Sequence, residues 1–269
     1  MAGIEKHPET NFVELYRDIS ASEYMEFKLN NPDFEFQREN ALRCCYEGLQ
    51  SLPNGLRVLD YGSGASLHET VLTAAKASEI VLSDYSPKNR EALRLWLNGD
   101  PAAFDWIPHF RRTLREIEEG GEKELSHRVE TIRRVAKAVV HCDLSQDPPI
   151  QRGYDVQYDL IYSSFCLCAA ANSHEEYRQG INKLAKLLKP GGVLMMYESE
   201  HKECQQSFYY IKSSKFPYVA VTSEFVAGAF RDAGFVAVSV RSVEMDPNHS
   251  FRVQRPERIG YFHIQGIKA

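Results

Sequence analysis

Apolar residues fall in short runs along the chain, and between the runs the apolar positions recur at helical spacing. The runs predict strands at Leu56–Tyr61, 79–84, 138–142, 158–163, 193–197, 236–243 and 259–267. The early ones are almost continuously apolar, as when helices bury both faces of a sheet. The intervening segments carry helix punctuation. A helical run is predicted at 68–77. Ser86 caps the next helix with Pro87 at its first position, and Asn98-Gly99 ends it. Ser173 and Glu176 form a capping box, and the helix they open stops at Lys189-Pro190-Gly191-Gly192. Thr222 starts another helix, which stops at Gly234. The highly charged segment 111–136 reads as a solvated helical pair broken at Gly120-Gly121.

Strand and helix alternate, which predicts an α/β fold with a Rossmann-like, doubly wound, mainly parallel seven-stranded sheet. The link 244–258 has no helical period, so a hairpin-like return makes the last strand antiparallel. Three segments lie outside this core: 1–50, 100–135 and 199–221. They read as cap segments added around a ligand site, because open α/β sheets bind at the carboxyl ends of their strands. The whole chain, 1–269, is expected to be one domain.

Composition narrows the class of function. The 269 residues are 43% hydrophobic and 26% charged, an ordinary globular balance. The net charge of -5 gives no bulk attraction to nucleic acid or to an anionic membrane. No apolar run approaches the ~20 residues of a membrane span, and the start, MAGIEKHPET, lacks signal-peptide features. The six cysteines form no CxxC pair, so zinc is not expected, and they read as reduced thiols of a cytoplasmic protein. A monomer is the default expectation.

The chemistry begins at VLDYGSGASLHETV, residues 58–71. Two glycines between a strand and a helix let a ligand approach the backbone. A dinucleotide calls for G-x-G-x-x-G, yet Leu67 stands at the third glycine's place. Asp60, just before the loop, suits a cationic ligand with an ammonium group. The second strand ends at Asp84, about 20 residues on, where an acid accepts hydrogen bonds from ribose. The third is followed by Asp143, where an acid can accept the adenine amino group. Three acids at three successive strand ends favour S-adenosylmethionine over NAD, although an NAD-dependent oxidoreductase stays open on the residues alone.

Further pieces carry a family resemblance: DYGSGAS (60–66), SDYSPKN (83–89), LWLNGDPAAFDW (95–106), CDLSQDPP (142–149), SSFCL (163–167), LLKPGG (187–192) and SFYY (207–210). From about Tyr24 onward the chain resembles the nicotinamide, phenylethanolamine and indolethylamine N-methyltransferases. The resemblance implies S-adenosylmethionine as cofactor, with S-adenosylhomocysteine as product and a small aromatic or arylalkyl amine as acceptor. It implies that Gly62, Ser63 and Gly64 face the methionine part of the donor and that Asp84 binds ribose. Tyr85 would pack on adenine, Asn89 would contact the ribose or methionine end, and Asp143 and Leu144 would hold adenine. Ser164 would contact the amino-acid part, and Tyr24 would close over donor and acceptor as part of a lid. Ser207 and Tyr210 match the acceptor pocket.

Departures from the family pattern are equally specific. His68 replaces a tyrosine, and an imidazole there can still donate to a carboxylate. Phe27-Lys28-Leu29 stands where a second tyrosine is usual, and Cys168 where an acid follows FCL. A longer acidic insert carries Glu198, Glu200 and Glu203, read either as a solvated loop or as the source of a replacement carboxylate. An alkylamine acceptor must lose a proton before attack, and Glu198 or Glu200 could accept it. His141 reads as a packed strand-end histidine, His174 as solvated, and Cys168 as a core thiol rather than a nucleophile. The alternative function is a donor-binding protein with lost activity, or with an oxygen or sulfur acceptor.

Overall fold

The computed structural model describes residues 12–17, 19–211 and 214–269. Of the expected N-terminal lid, residues 1–11 and 18 lie outside the described residues, as do 212–213 of the third added segment.

Helices α1 (Phe12–Arg17), α2 (Ala21–Asn30) and α3 (Glu35–Gln50) precede the sheet. Then follow β1 (Leu56–Tyr61), α4 (Thr70–Thr73), β2 (Ala77–Asp84) and α5 (Pro87–Leu97). The charged segment forms α6 (Ile107–Ile117) and α7 (Glu122–Val135), separated at Gly120-Gly121 as expected. Next come β3 (Ala136–His141), β4 (Tyr158–Ser164), α8 (Leu167–Ala170), α9 (His174–Lys186) and β5 (Leu188–His201). The chain ends with β6 (Gln205–Ile211), β7 (Ser214–Ala220), α10 (Ser223–Asp232), β8 (Phe235–Glu244), α11 (Ser250–Gln254) and β9 (Arg258–Lys268).

The main sheet has seven strands in the order β3-β2-β1-β4-β5-β9-β8, and β9 runs antiparallel to both of its neighbours. After β1 the chain works outward to β2 and β3, then returns to place β4 on the other side of β1. That reversal leaves a crevice beyond the carboxyl ends of β1 and β4, the place where such folds bind ligands. One face of the sheet packs on α9 and α10 through Tyr177, Ile181, Leu184 and Phe230. The other packs on α3, α6 and α7 through Leu49, Phe110, Leu114 and Ile132. Leu59 and Ile161, on the central strands, are fully buried between these layers.

Several sequence expectations need correction. The helix expected at 68–77 shrinks to Thr70–Thr73, because the Lys76 carbonyl accepts both Gly55 N–H and Leu56 N–H and draws the chain back into the sheet. The link 244–258 holds α11, whose first turn is capped by His249 Nδ1 accepting from Phe251 N–H. Ser86 occupies the N-cap of α5, yet its hydroxyl donates to the Arg17 carbonyl instead of capping. Ser173 does cap α9, while the Glu176 carboxylate reaches back to Asn172 N–H, one residue beyond the expected box. The third added segment is not a loop. β5 runs on to His201, and β6 and β7 form an antiparallel hairpin.

Leu59 fills the middle of the sheet, so truncation leaves a cavity that rigid neighbours cannot close. Leu59→Ala is expected to cost about 2–5 kcal/mol in urea unfolding with little change in the slope.

Candidate active site

The loop after β1 is tied to the ends of two other strands. Gly62 N–H and Ser63 N–H both donate to the Ser83 carbonyl, at 2.9 and 2.8 Å. Gly64 N–H donates to Asp84 Oδ2 at 2.8 Å. Gly62 and Gly64 have φ of 76° and 66°, the left-handed region where glycine is unstrained. At Gly62 a second constraint applies: a Cβ would lie 2.1 Å from Cys166 Sγ. The sequence Gly-Ser-Gly is therefore required by the fold's own geometry as well as by access for a ligand.

This loop forms the floor of a cleft of about 310 Å³, closed over by residues from α1, α2, the β6–β7 hairpin and α11. Twelve of the residues singled out from the sequence line it. They are Tyr24, Gly62, Ser63, Gly64, Asp84, Tyr85, Asn89, Asp143, Leu144, Ser164, Cys168 and Tyr210. A smaller recess of about 70 Å³ adjoins it, sharing Lys28, Ser63 and Ser164 and adding Asp60, His68 and Glu69.

Asp84 is held in place by three donors. Oδ1 accepts from Ser86 N–H at 2.8 Å and from Asn89 Nδ2 at 3.0 Å, while Oδ2 takes Gly64 N–H. Burial raises its pKa, and the bonds from Asn89, Ser86 and Gly64 oppose that shift. The Asn89 amide oxygen is buried with no hydrogen-bond partner. An orphaned acceptor beside a fixed carboxylate on a cleft wall suits a ligand carrying hydroxyl donors. Asp143 Oδ1 accepts from Ser145 N–H and Oγ at 2.9 and 2.7 Å, which fixes the turn that also presents Leu144. Tyr85 lies over the imidazole of His141, with ring centroids 5.4 Å apart, and its hydroxyl donates to Glu14 on α1. The Tyr24 ring carries the Lys28 ammonium 4.9 Å from its centroid.

His68 sits in the recess, its ring 4.8 Å from that of Trp106. Burial, then nearby His109, Arg38 and Lys28, push its pKa well down, so the imidazole is neutral near pH 7. Asp60 and Glu69 face the same recess, and burial raises both of their pKa values.

Three expected residues are elsewhere. Glu200 does not line the cleft: its carboxylate accepts Ser223 N–H at 2.8 Å, capping α10, and the Ser242 hydroxyl at 3.3 Å. Ser207 is buried and donates to Glu257 at 3.2 Å. Glu198 is not in a solvated loop but in β5, 1% exposed, next to Cys168. Its Oε1 accepts from the Tyr177 hydroxyl at 3.2 Å. Cys168, which lines the cleft, donates to the Phe165 carbonyl, and burial followed by the Glu198 charge pushes its thiol well up. It is therefore a neutral thiol rather than a nucleophile.

The cleft also contains residues that the sequence reading did not select: Tyr16, Phe208, Tyr209, Tyr218, Phe251, Arg255 and Arg258. Tyr209 stands next to the selected Tyr210 in the same hairpin, and its hydroxyl donates to Tyr16 at 2.8 Å. The one available signal was its place beside Tyr210; both line the cleft, although Tyr210 is 49% exposed.

The profile of the NNMT/PNMT/TEMT family matches residues 12–256. The chain belongs to this family. It is 31% identical to a Sus scrofa nicotinamide N-methyltransferase, covering 71% of this chain and 69% of that one. With an Oryctolagus cuniculus indolethylamine N-methyltransferase the identity is 30% over 82% of each. A Sus scrofa phenylethanolamine N-methyltransferase is 25% identical, over 80% of this chain and 71% of its own. Among solved structures, the Burkholderia thailandensis 1,6-didemethyltoxoflavin-N1-methyltransferase superposes with a TM-score of 0.57. At 16% identity, over 100% of this chain and 94% of that one, it shares the fold. In this chain the lined cleft lies in the crevice beyond β1 and β4 of the open sheet.

Burial raises the Glu198 pKa from 4.5 to about 7. A raised folded-state value means that stability is fully present at low pH and falls as pH climbs from about 4.5 to about 7. Glu198→Gln is expected to flatten that decline, by on the order of 3 kcal/mol. Urea unfolding of both proteins at pH 5 and pH 8 measures it, and parallel declines would exclude this role for Glu198.

Proposed function

We propose that this protein transfers a methyl group from S-adenosylmethionine to the nitrogen of a small aromatic or arylalkyl amine. The observation that carries the reading is the pair at the end of β2, where the fixed Asp84 carboxylate adjoins the orphaned Asn89 amide oxygen. Family membership and the names of the relatives support the same activity.

When bound, the donor supplies an electrophilic methyl on a sulfonium. The residues present fit such a group. Asp84 and Asn89 would accept from the ribose hydroxyls, while Tyr85 and Leu144 would flank adenine near Asp143. Gly62 to Gly64 leave room for the amino-acid part beside the recess. Asp60 and Glu69 there suit its ammonium, and Lys28 and His68 suit its carboxylate. The aromatic rings of Tyr24, Phe165, Tyr209 and Tyr218 exclude water and offer π faces to a site of net positive charge. Little more is needed than alignment of acceptor and methyl in line.

Among the described residues, the carboxylates on the main cleft wall are those of Asp84 and Asp143, both at the donor end. Glu200 is occupied by α10 and Ser242, and Glu198 is buried in β5 against Tyr177 and Cys168. This favours an acceptor nitrogen that already has a free lone pair at neutral pH, such as an azine, over a protonated alkylamine that needs a base. Free thiols at all six cysteines accord with a cytoplasmic setting. No helix among the described residues is long and apolar enough to cross a membrane. A monomer acting without nucleic acid or membrane completes the proposal.

Incubation with labelled S-adenosylmethionine and a panel of azines, arylalkylamines, catechols and thioethers tests it by mass shift of the product. Transfer to a nitrogen acceptor is expected. Transfer only to oxygen or sulfur acceptors would contradict the amine reading. Asp84→Asn is expected to raise the donor Kd about 10- to 100-fold, the loss of a charge-assisted hydrogen bond.

A further inference from the structure

The acids and the arginines of the cleft stand apart, and Lys28 is shared with the adjoining recess. The acids Asp84 and Asp143 stand at the ends of β2 and β3, whereas Arg255 and Arg258 stand at the far side, where α11 leads into β9. Arg258 is only 9% exposed. One of its terminal nitrogens donates to the Tyr261 hydroxyl at 3.1 Å, and its guanidinium faces the Phe251 and Tyr261 rings at 5.1 and 4.9 Å. Its Nε is buried with no partner, and among the described residues it forms no ion pair. The neighbouring Glu257 carboxylate is turned to the Ser207 hydroxyl instead. Arg255 is more committed: Nε donates to the Phe208 carbonyl and the guanidinium stacks 3.9 Å from the Phe208 ring.

A buried guanidinium without an anion is costly, since it has left water and gained no counter-charge. Its planar fork matches a carboxylate better than any neutral group. Cys168 and Tyr218, both on the cleft wall, lie close enough to feel the Arg258 charge. Arg258 thus shares the cleft wall with aromatic rings and a neutral thiol, across the sheet from Asp84 and Asp143.

We propose that the methyl acceptor carries a carboxylate, that Arg258 binds it, and that the substrate class is an aromatic amine or azine acid rather than a neutral amine. The inference rests on the function proposed above and narrows its substrate. For an azine acid, the ring nitrogen's lone pair forms the new nitrogen–carbon bond. The carbon–sulfur bond breaks with its pair remaining on sulfur, and no proton moves. The product is a zwitterion, and the carboxylate offsets the positive charge that forms on nitrogen.

Calorimetric titration of the protein loaded with S-adenosylhomocysteine tests this with matched pairs. Pyridine-3-carboxylate is compared with pyridine-3-carboxamide, and tryptophan with tryptamine. The acid of at least one pair is expected to bind at least tenfold more tightly. Arg258→Gln should remove most of that preference while leaving the neutral partner and S-adenosylhomocysteine within about twofold, and Arg258→Lys should restore part of it. Thermal unfolding checks that the variants are folded. The comparison of acid with neutral partner in the unmodified protein stands even where a variant fails.

Equal or tighter binding of the neutral member in every pair, or no binding of either acid, would overturn the inference while leaving the proposed function intact. Arg258→Gln that weakens S-adenosylhomocysteine as much as the acid would also overturn it, by placing Arg258 at the donor. Failure of S-adenosylhomocysteine to bind at all would overturn the proposed function and this inference with it.

Discussion

The close approach of Gly62 to Cys166 is the constraint on which the site depends. The loop after β1 lies so near the end of β4 that no side chain fits between them. It is also bonded to Ser83 and Asp84 at the end of β2. Three strand ends are thereby locked into one surface, and the cleft inherits its shape from that lock. The same contacts place Asp84, Asn89 and Ser164 around a common space without help from a ligand. A site preorganised in this way loses less on binding, because its polar groups are already oriented.

The fold was largely legible from the pattern of apolar runs. All seven strands of the main sheet were foreseen, because each is a short run flanked by turn residues, and the antiparallel β9 followed from the short link before it. The hairpin of β6 and β7 was not, since residues such as Gln205, Gln206 and Lys215 mask its alternation. The short α4 was overestimated for a different reason. Its sequence favours a longer helix, but the return of the chain to β2 ends it.

The part of the cleft at the ends of β1 to β4 was more legible than the part across from it. Glycines and acids at strand ends are local signals, readable at fixed offsets from an apolar run. The opposite part is assembled from α1, α2, α8, β6, β7, α11 and β9, so its neighbours are distant in sequence. Glu198 and Glu200 show the cost of reading charge without burial. Both belong to a strand, where one serves Tyr177 and Cys168 and the other caps a helix. Arg258 gave no sequence signal, because a lone arginine before an apolar strand is usually solvated; only its burial and its orphaned Nε set it apart.

The central claim is that the cradle formed by Gly62, Asp84 and Asn89 holds a nucleoside with an amino-acid tail and no pyrophosphate. Titration of S-adenosylhomocysteine and of NADH into the same preparation tests it most directly. The account predicts saturable one-to-one binding of S-adenosylhomocysteine and at least a hundredfold weaker binding of NADH. Comparable or tighter binding of NADH would contradict it.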